Sequence, residues 1–367
     1  MRLFFVFCLF ISFSLNAQQY HLLVGTYNST GSEGIFTFRF DAQTGKATPV
    51  SSVKTSNPSY LAVSPDQKYV FAVNENDSGT VSAFKFNKEN GGLTFLNSVS
   101  SAGAHPCYIS LNKTATIATV GNYSSGTISV MEIRPDGQLN QPKQIIQLKG
   151  NSVNRKRQEK SHVHATVYTP DFRFLLVPDL GTDKIMQYKV TPASGALQAS
   201  EKPYTEVHAG AGPRHLDFHP KLQIVYLIEE LTGSISVFKY KEGKLELIQN
   251  SSTHPLSYVG AFGSADIHVS PDGRFLYASN RGDANNIAVF NIDQESGMIQ
   301  IAGFQPTLGI HPRNFAIDPT GNYLLVANRD SNEIVVFKID KKTGLLEYTN
   351  QRISVQKPVC IKWIVTK

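Results

Sequence analysis

The fold is decided by residues 270–280, which read SPDGRFLYASN. A similar pattern, a turn built on a Ser/Thr/Asp-Pro dipeptide and followed by an apolar strand, returns at residues 64–74, 169–178 and 318–328. Residues 219–220 begin a fifth copy, and residues 112–113 stand where a sixth copy would have its proline. Successive copies lie about 50 residues apart, the period of a four-stranded propeller blade. The sequence therefore predicts six blades between its two ends.

The two ends of the chain supply a seventh blade. Strands are predicted near the N-terminus at residues 22–24, 34–40 and 47–53, and these three lack an innermost partner. An orphan strand at residues 358–365 can provide it, and the pairing protects strand edges that would otherwise be exposed. We therefore predict an all-β fold, a seven-bladed β-propeller over residues 18–367. It is closed by pairing of the N- and C-terminal strands in one blade.

Two segments depart from the repeat. Residues 1–17 have a positive start, a long apolar run and a small residue at Ala17, which is typical of a cleaved signal peptide. A buried first strand is the alternative. Cleavage predicts an exported protein, periplasmic or secreted, with no membrane association afterwards. Residues 147–161 lengthen the spacing and predict a long loop before the fourth blade, because the repeat continues in register on both sides.

Composition excludes several classes of function. The net charge of +6 is partly concentrated in residues 155–157, whereas a nucleic-acid-binding protein would carry a broad basic face. We expect no nucleic-acid partner, and the positive charge fits a small anionic ligand. No Gly-rich phosphate loop opens a helix, so no organic cofactor is expected. A closed propeller needs no partner for stability, and we expect a monomer.

Alignment of the repeats predicts which side chains meet at one mouth of the central channel. The inner strands begin there with Ser59, Cys107, His164, Arg214, Ala265, Arg313 and Val359. The second strands of the blades end there with Thr26, Glu75, Asn122, Asp179, Glu230, Arg281 and Arg329. Titratable groups gathered in a concavity are a candidate active site. The alternative is a set of ion pairs that only line the channel.

Five short motifs carry a family resemblance. They are RQE with SHVH (residues 157–164), GAGPRH (210–215), EEL (229–231), ADIH (265–268) and SNR (279–281). Together they resemble the successive motifs of the lactonase propeller family, which includes bacterial 6-phosphogluconolactonases and is similar to fungal carboxymuconate lactonizing enzymes. The resemblance implies that His164, Arg214, Glu230 and Arg281 are catalytic. Glu229 stands where the family usually has Asn, which leaves open whether Glu229 or Glu230 acts.

Further side chains are expected to contact the substrate. They are Arg157, His162, His215, Asp179, Arg329 and Glu75. His162 and His164 form a His-x-His pair of the kind that binds metals, but no third ligand with suitable spacing stands out, so we predict a site without metal.

The chemistry expected of this site is the opening of a small, anionic lactone. Glu230 or His164 would activate water, while Arg214 and Arg281 would hold the carbonyl oxygen and any carboxylate or phosphate of the substrate. The same groups also suit the reverse reaction, in a muconate-type lactonizing cycloisomerase. A third alternative is a non-catalytic propeller that binds a ligand or protein through the same face.

Overall fold

The computed structural model describes residues 19–28, 33–192 and 194–365. Within these ranges it contains 28 strands and no helix, and therefore no helix long and apolar enough to cross a membrane. The strands form seven antiparallel four-stranded sheets, and neighbouring sheets contact one another around a closed ring. The prediction of an all-β seven-bladed β-propeller is confirmed.

The first four blades have the following strands. Blade 1 contains Pro358–Val365 (β28), Gln19–Thr26 (β1), Glu33–Asp41 (β2) and Ala47–Lys54 (β3). Blade 2 contains Pro58–Val63 (β4), Tyr69–Asn74 (β5), Thr80–Phe86 (β6) and Leu93–Ser100 (β7). Blade 3 contains Pro106–Leu111 (β8), Ile117–Asn122 (β9), Thr127–Glu132 (β10) and Gln144–Gln147 (β11). Blade 4 contains Val167–Tyr168 (β12), Phe174–Asp179 (β13), Lys184–Val190 (β14) and Leu197–Glu206 (β15).

The last three blades repeat the arrangement. Blade 5 contains Pro213–Phe218 (β16), Ile224–Glu229 (β17), Ser234–Lys241 (β18) and Lys244–Ser252 (β19). Blade 6 contains Ser264–Val269 (β20), Phe275–Asn280 (β21), Asn286–Ile292 (β22) and Ile299–Pro306 (β23). Blade 7 contains Pro312–Ile317 (β24), Tyr323–Asn328 (β25), Glu333–Ile339 (β26) and Leu346–Ser354 (β27). The predicted long loop lies between β11 and β12.

The repeated Ser-Pro-Asp turn has a local cause. In blade 6 the Ser270 hydroxyl donates to Asp272 at 2.6 Å and accepts the amide of Phe275 at 3.0 Å, which fixes the start of β21. Gly273 has a φ of +82°, a backbone conformation that side chains disfavour. The turn therefore starts the second strand of the blade at a fixed distance from the proline. Because this distance is the same in each blade, the repeats can be aligned with one another.

The N- and C-terminal strands close blade 1 as predicted. Strand β1 lies between β28 and β2, and its residues Tyr20 to Thr26 pair with β28. Ile364 on β28 is fully buried in an apolar cluster that includes Leu23 of blade 1 and Val70 of blade 2. The two ends of the chain thus share a hydrophobic core with the neighbouring blade. Residues 1–17, the predicted signal peptide, lie outside the described residues.

Shortening Ile364 should weaken this closure. Ile364→Ala removes buried apolar atoms and leaves a cavity, so the free energy of unfolding should fall by about 2–5 kcal/mol. The matched control Val365→Ala changes a neighbouring side chain that is 39% exposed and should change it by less than about 0.5 kcal/mol. Urea unfolding followed by the fluorescence of Trp363, the one tryptophan of the chain, measures both. Equal midpoints for the two variants would contradict a structural role for the terminal strand.

Candidate active site

The inner strands bring a polar cluster to the axis of the propeller. Six of the seven side chains predicted for this column line one small cavity with Tyr60, His215 and Asn314: Ser59, Cys107, His164, Arg214, Arg313 and Val359. The cavity has a volume of about 10 Å³, close to what one water molecule needs. The backbone carbonyl of the seventh residue, Ala265, accepts a hydrogen bond from Arg214. The column predicted from the repeat therefore converges.

Glu230 is the centre of the site. Its carboxylate accepts from Arg214 Nε at 2.9 Å and from Arg157 at 2.5 Å, and it lies 3.0 Å from a terminal nitrogen of Arg281. His164 Nε2 lies 3.9 Å from the same carboxylate. The side chain of Glu230 is only 5% exposed. One buried carboxylate thus joins three arginines and a histidine that are remote in sequence.

The surroundings fix the protonation states of this cluster. Burial alone would raise the pKa of Glu230, but the charges of Arg281, Arg214 and Arg157 hold it well below its ordinary value. Burial, followed by the charge of Arg214, lowers the pKa of His164 well below that of a free histidine. At neutral pH the site therefore contains a carboxylate and a neutral imidazole.

Arg157 reaches Glu230 because its loop is anchored at the next residue. Gln158 is fully buried, and its amide donates to Leu180 O at 2.9 Å and to Asp183 at 2.7 Å. The carboxylate of Asp183 also accepts the backbone amides of Gly210 and Gly212, at 2.6 and 2.7 Å. One aspartate thus ties the long loop to the GAGPRH turn. This connection holds Arg157 against Glu230, although the side chain of Arg157 is 43% exposed.

Arg281 connects Glu230 to the opposite loop of the mouth. Its Nε donates to Gly263 O at 2.7 Å and a terminal nitrogen donates to Ser264 O at 3.3 Å. Burial lowers its pKa to about 10, so the guanidinium remains charged at neutral pH. Arg281 is therefore placed by backbone carbonyls, independently of its ion pair.

A second ion pair lies nearby in the channel. Arg313 is 3.7 Å from Glu75, which also accepts the Tyr27 hydroxyl at 2.8 Å, and the guanidinium of Arg313 lies over the Tyr27 ring. Four guanidinium groups, those of Arg157, Arg214, Arg281 and Arg313, thus contact two carboxylates in the described part of the channel. This surplus of positive charge suits an anionic ligand.

The second predicted column needs a correction in blades 1, 3 and 4. The backbone amides of Glu75, Tyr123, Leu180 and Glu230 occupy equivalent positions. Each donates to a carbonyl that precedes the inner strand of its own blade, that of Asn57, His105, His162 or Gly212. The positions predicted from the sequence, Thr26, Asn122 and Asp179, are each one residue too early. A shift of one residue along a strand turns the side chain to the other face. Tyr27 and Tyr123, not Thr26 and Asn122, therefore extend towards the arginines.

Asp179 consequently does not reach the arginine cluster. Its carboxylate accepts from Ser161 Oγ at 2.7 Å, from the amide of His162 at 2.7 Å and from the amide of Gly181 at 3.1 Å. Burial, its largest influence, raises its pKa. Asp179 thus closes a turn beside His162, and the structure gives it no place among the groups around Glu230.

The structure distinguishes Glu229 from Glu230. Glu229 is fully buried and accepts from the hydroxyls of Ser234 and Ser236, at 2.5 and 2.7 Å, within its own blade. Successive residues of a strand face opposite sides. Glu230 alone of the two reaches the arginines.

His162 and Arg329 are not among the side chains that contact Glu230. His162 stacks on the Tyr123 ring, with centroids 4.5 Å apart, and its Nε2 lies 3.1 Å from Glu159. Arg329 donates to Asp330 at 2.6 Å and lies 3.3 Å from Nδ1 of His311. Within residues 19–28, 33–192 and 194–365, no group of three His, Cys, Asp or Glu side chains has the arrangement of a metal site.

The sequence analysis did not single out three residues of the site. Tyr123 accepts from Arg157 at 3.3 Å, Asp183 anchors two loops, and Asp266 accepts from His215 at 2.8 Å. Correct registration of the repeats would have found Tyr123. A wider groove of about 860 Å³ lies between β15 and β19, but exposed Lys and Glu side chains line it rather than a buried charge cluster.

Comparison with known proteins assigns the family. The model of the family described as lactonase, 7-bladed beta-propeller, matches residues 21–363. This chain belongs to the lactonase family. It is 35% identical to the 6-phosphogluconolactonase of Bacillus subtilis, over 93% of this chain and 97% of the relative.

Two solved structures of similar proteins have the same architecture. A Bacteroides fragilis protein is 43% identical and superposes with a TM-score of 0.91, covering 96% of this chain and 99% of the other. The periplasmic gluconolactonase of Pseudomonas aeruginosa is 35% identical with a TM-score of 0.90, covering 95% of this chain and 100% of the other. The lactonase motifs noted in the sequence, at residues 157–281, lie within the residues that the family model matches.

Proposed function

We propose that this lactonase-family protein hydrolyses a small sugar lactone that carries a carboxylate or phosphate. The observation that carries the proposal is the buried carboxylate of Glu230, held by Arg157, Arg214 and Arg281 with His164 3.9 Å away. Lactone hydrolysis needs a proton acceptor for water and positive charge for the developing oxyanion. Glu230 can accept the proton, and the arginines that contact it supply the positive charge. The names of the relatives point to the same reaction.

In the proposed reaction, Glu230 takes a proton from water as the water oxygen attacks the lactone carbonyl carbon. Arg214 and Arg281 stabilise the oxyanion, because their guanidinium groups are already charged and desolvated. The ring C–O bond then breaks, and the proton held by Glu230 passes to the leaving alkoxide, which yields a hydroxy acid. Neutral His164 donates or accepts a hydrogen bond to orient the water.

Arg157 has a separate role in this proposal. It is the most exposed of the three arginines on Glu230, with 43% of its side chain accessible against 1% for Arg214 and 11% for Arg281. An anionic group of the substrate would attract Arg157 away from Glu230. Since the charge of Arg157 lowers the pKa of Glu230, its departure would make Glu230 a stronger base. Binding of the anion is thereby coupled to activation of the base.

The proposed place of action is outside the cytoplasm. It rests on residues 1–17, which have the pattern of a signal peptide. N-terminal sequencing of the protein from its native host tests this directly. A mature chain starting at Gln18 supports export, and an intact Met1 contradicts it.

Arg157→Ala should impair the hydrolysis of anionic lactones more than that of neutral lactones. Loss of one charge-assisted contact should raise KM for an anionic lactone by about 10- to 100-fold. A neutral lactone should lose little, since it has no group for Arg157 to bind. The test compares initial rates on gluconolactone, its 6-phosphate and a glucarolactone. Arg155→Ala, an exposed residue of the same loop, is the matched control and should behave as wild type.

Two outcomes would contradict the proposal. An equal loss on neutral and anionic lactones would remove Arg157 as the anion-binding residue. Complete inactivity of the wild type on all three lactones, combined with tight binding of one of them, would replace the hydrolase with a ligand-binding propeller.

A further inference from the structure

A buried carboxylate next to Arg214 has no part in the proposed reaction. Asp266 is 1% exposed and accepts hydrogen bonds from four donors on three blades. These are His215 Nδ1 at 2.8 Å, His268 Nε2 at 3.1 Å, the Asn314 amide and the backbone amide of Phe315 at 3.3 Å. So many donors hold the carboxylate rigidly in one orientation.

The charges of this group are well defined. Burial alone would raise the pKa of Asp266, but His268 and His215 hold it well below its ordinary value. Burial alone would lower the pKa of His268, but Asp266 and Asp217 raise it to about 10. Burial and the charge of Arg214 lower the pKa of His215 to about 4. At neutral pH, Asp266 and His268 are therefore an ion pair, and His215 is uncharged.

These charges select one tautomer of His215. A neutral imidazole has one N–H donor and one acceptor nitrogen. Ionised Asp266 can only accept, so Nδ1 of His215 carries the proton. Arg214 can only donate, and its terminal nitrogen lies 3.4 Å from Nε2 of His215, which is the acceptor. The line of contacts runs from Asp266 through His215 to Arg214 and ends at Glu230.

The packing of His215 leaves it little freedom. Its ring makes edge-to-face contacts with Tyr108 and His164, both with centroids 5.3 Å apart. Both of its nitrogens already have partners. The sequence predicts that His215 contacts the substrate, but these contacts place it between Arg214 and Asp266.

We propose that His215 and Asp266 are positioning residues that hold the guanidinium of Arg214 in the orientation needed at the lactone carbonyl. The inference rests on the proposed function, in which Arg214 stabilises the oxyanion. If Asp266 loses its charge, Nε2 of His215 can carry the proton instead and face Arg214 donor to donor. Arg214 then turns away, although its ion pair with Glu230 remains available.

The test replaces His215 in two ways. His215→Phe keeps a ring that packs on Tyr108 but removes the acceptor, and it should lower kcat by about 10- to 100-fold with a smaller change in KM. His215→Gln restores an acceptor near the position of Nε2 and should recover most of the lost kcat. Wild-type kcat in the Phe variant would overturn the proposal, and so would equal losses in both variants.

A second measurement does not depend on turnover. Imidazole ¹⁵N NMR of histidine-labelled protein, with the His215 signal assigned from the variants, reports the tautomer. The proposal expects the Nδ1–H form in the wild type, without titration above about pH 5, and a shift towards the Nε2–H form in Asp266→Asn. An Nε2–H wild type would overturn it. A wild type inactive on every lactone defeats the proposed function, while the NMR result still decides the role of His215.

Discussion

Glu230→Gln should lower kcat/KM for the best lactone by about 10²- to 10⁴-fold, the range for loss of a general base. Glutamine has nearly the same shape but takes no proton at neutral pH. It also ends the neutralisation of Arg157, Arg214 and Arg281, all of which contact the carboxylate. Binding of an anionic lactone or of the hydroxy-acid product should therefore be unchanged or tighter. A fall in kcat with unchanged or lower KM is the expected pattern.

The variant must be compared with one that changes charge elsewhere. Glu132→Gln removes an exposed carboxylate at the end of β10 that pairs with Lys143, and it should leave turnover as in the wild type. Initial rates and calorimetric binding of the product measure the two effects, and circular dichroism verifies the fold. Full activity of Glu230→Gln would exclude Glu230 as the base and leave His164 as the candidate.

Arg214→Lys should lower kcat by about 10²- to 10³-fold, the range for removal of one oxyanion donor. The guanidinium of Arg214 contacts Glu230 through Nε and Ala265 and His215 through a terminal nitrogen, which holds it in one plane. An ammonium group has the charge but not this fixed fork, so it cannot hold all three partners and still face the carbonyl.

Two further variants are compared with Arg214→Lys, a control at the surface and a larger change at Arg214 itself. Arg352→Lys changes an exposed arginine that pairs with Glu333 and should have no effect on turnover. Arg214→Ala should abolish turnover, and it should also lower stability because Arg214 is among the largest fully buried side chains. Full activity of Arg214→Ala in folded protein would contradict the assignment of Arg214 to the lactone.

Registration of the repeat explains which site residues were predictable. Counting from the Pro-Asp turn located His164, Arg214, Glu230 and Arg281 correctly, since that turn fixes the start of each second strand. At the end of the second strand of blade 4, the predicted position, Asp179, is one residue too early. This error assigned Asp179 to the channel, although its carboxylate faces the other way and closes a turn. Side chains of a strand alternate between its two faces, so an error of one residue reverses the face but cannot be recognised from the amino-acid composition.

The sequence by itself determined the fold and the family. Turn chemistry, strand patterning and blade spacing are local properties, and six repeats with two complementary ends make one closed ring of seven blades. The tertiary structure alone decided which charges meet. Arg157 and Glu230 touch because Asp183 joins the long loop to the Gly210–Gly212 turn, and His215 faces Arg214 because Asp266 holds its other nitrogen. Such contacts depend on distance and orientation between blades, which no local pattern encodes.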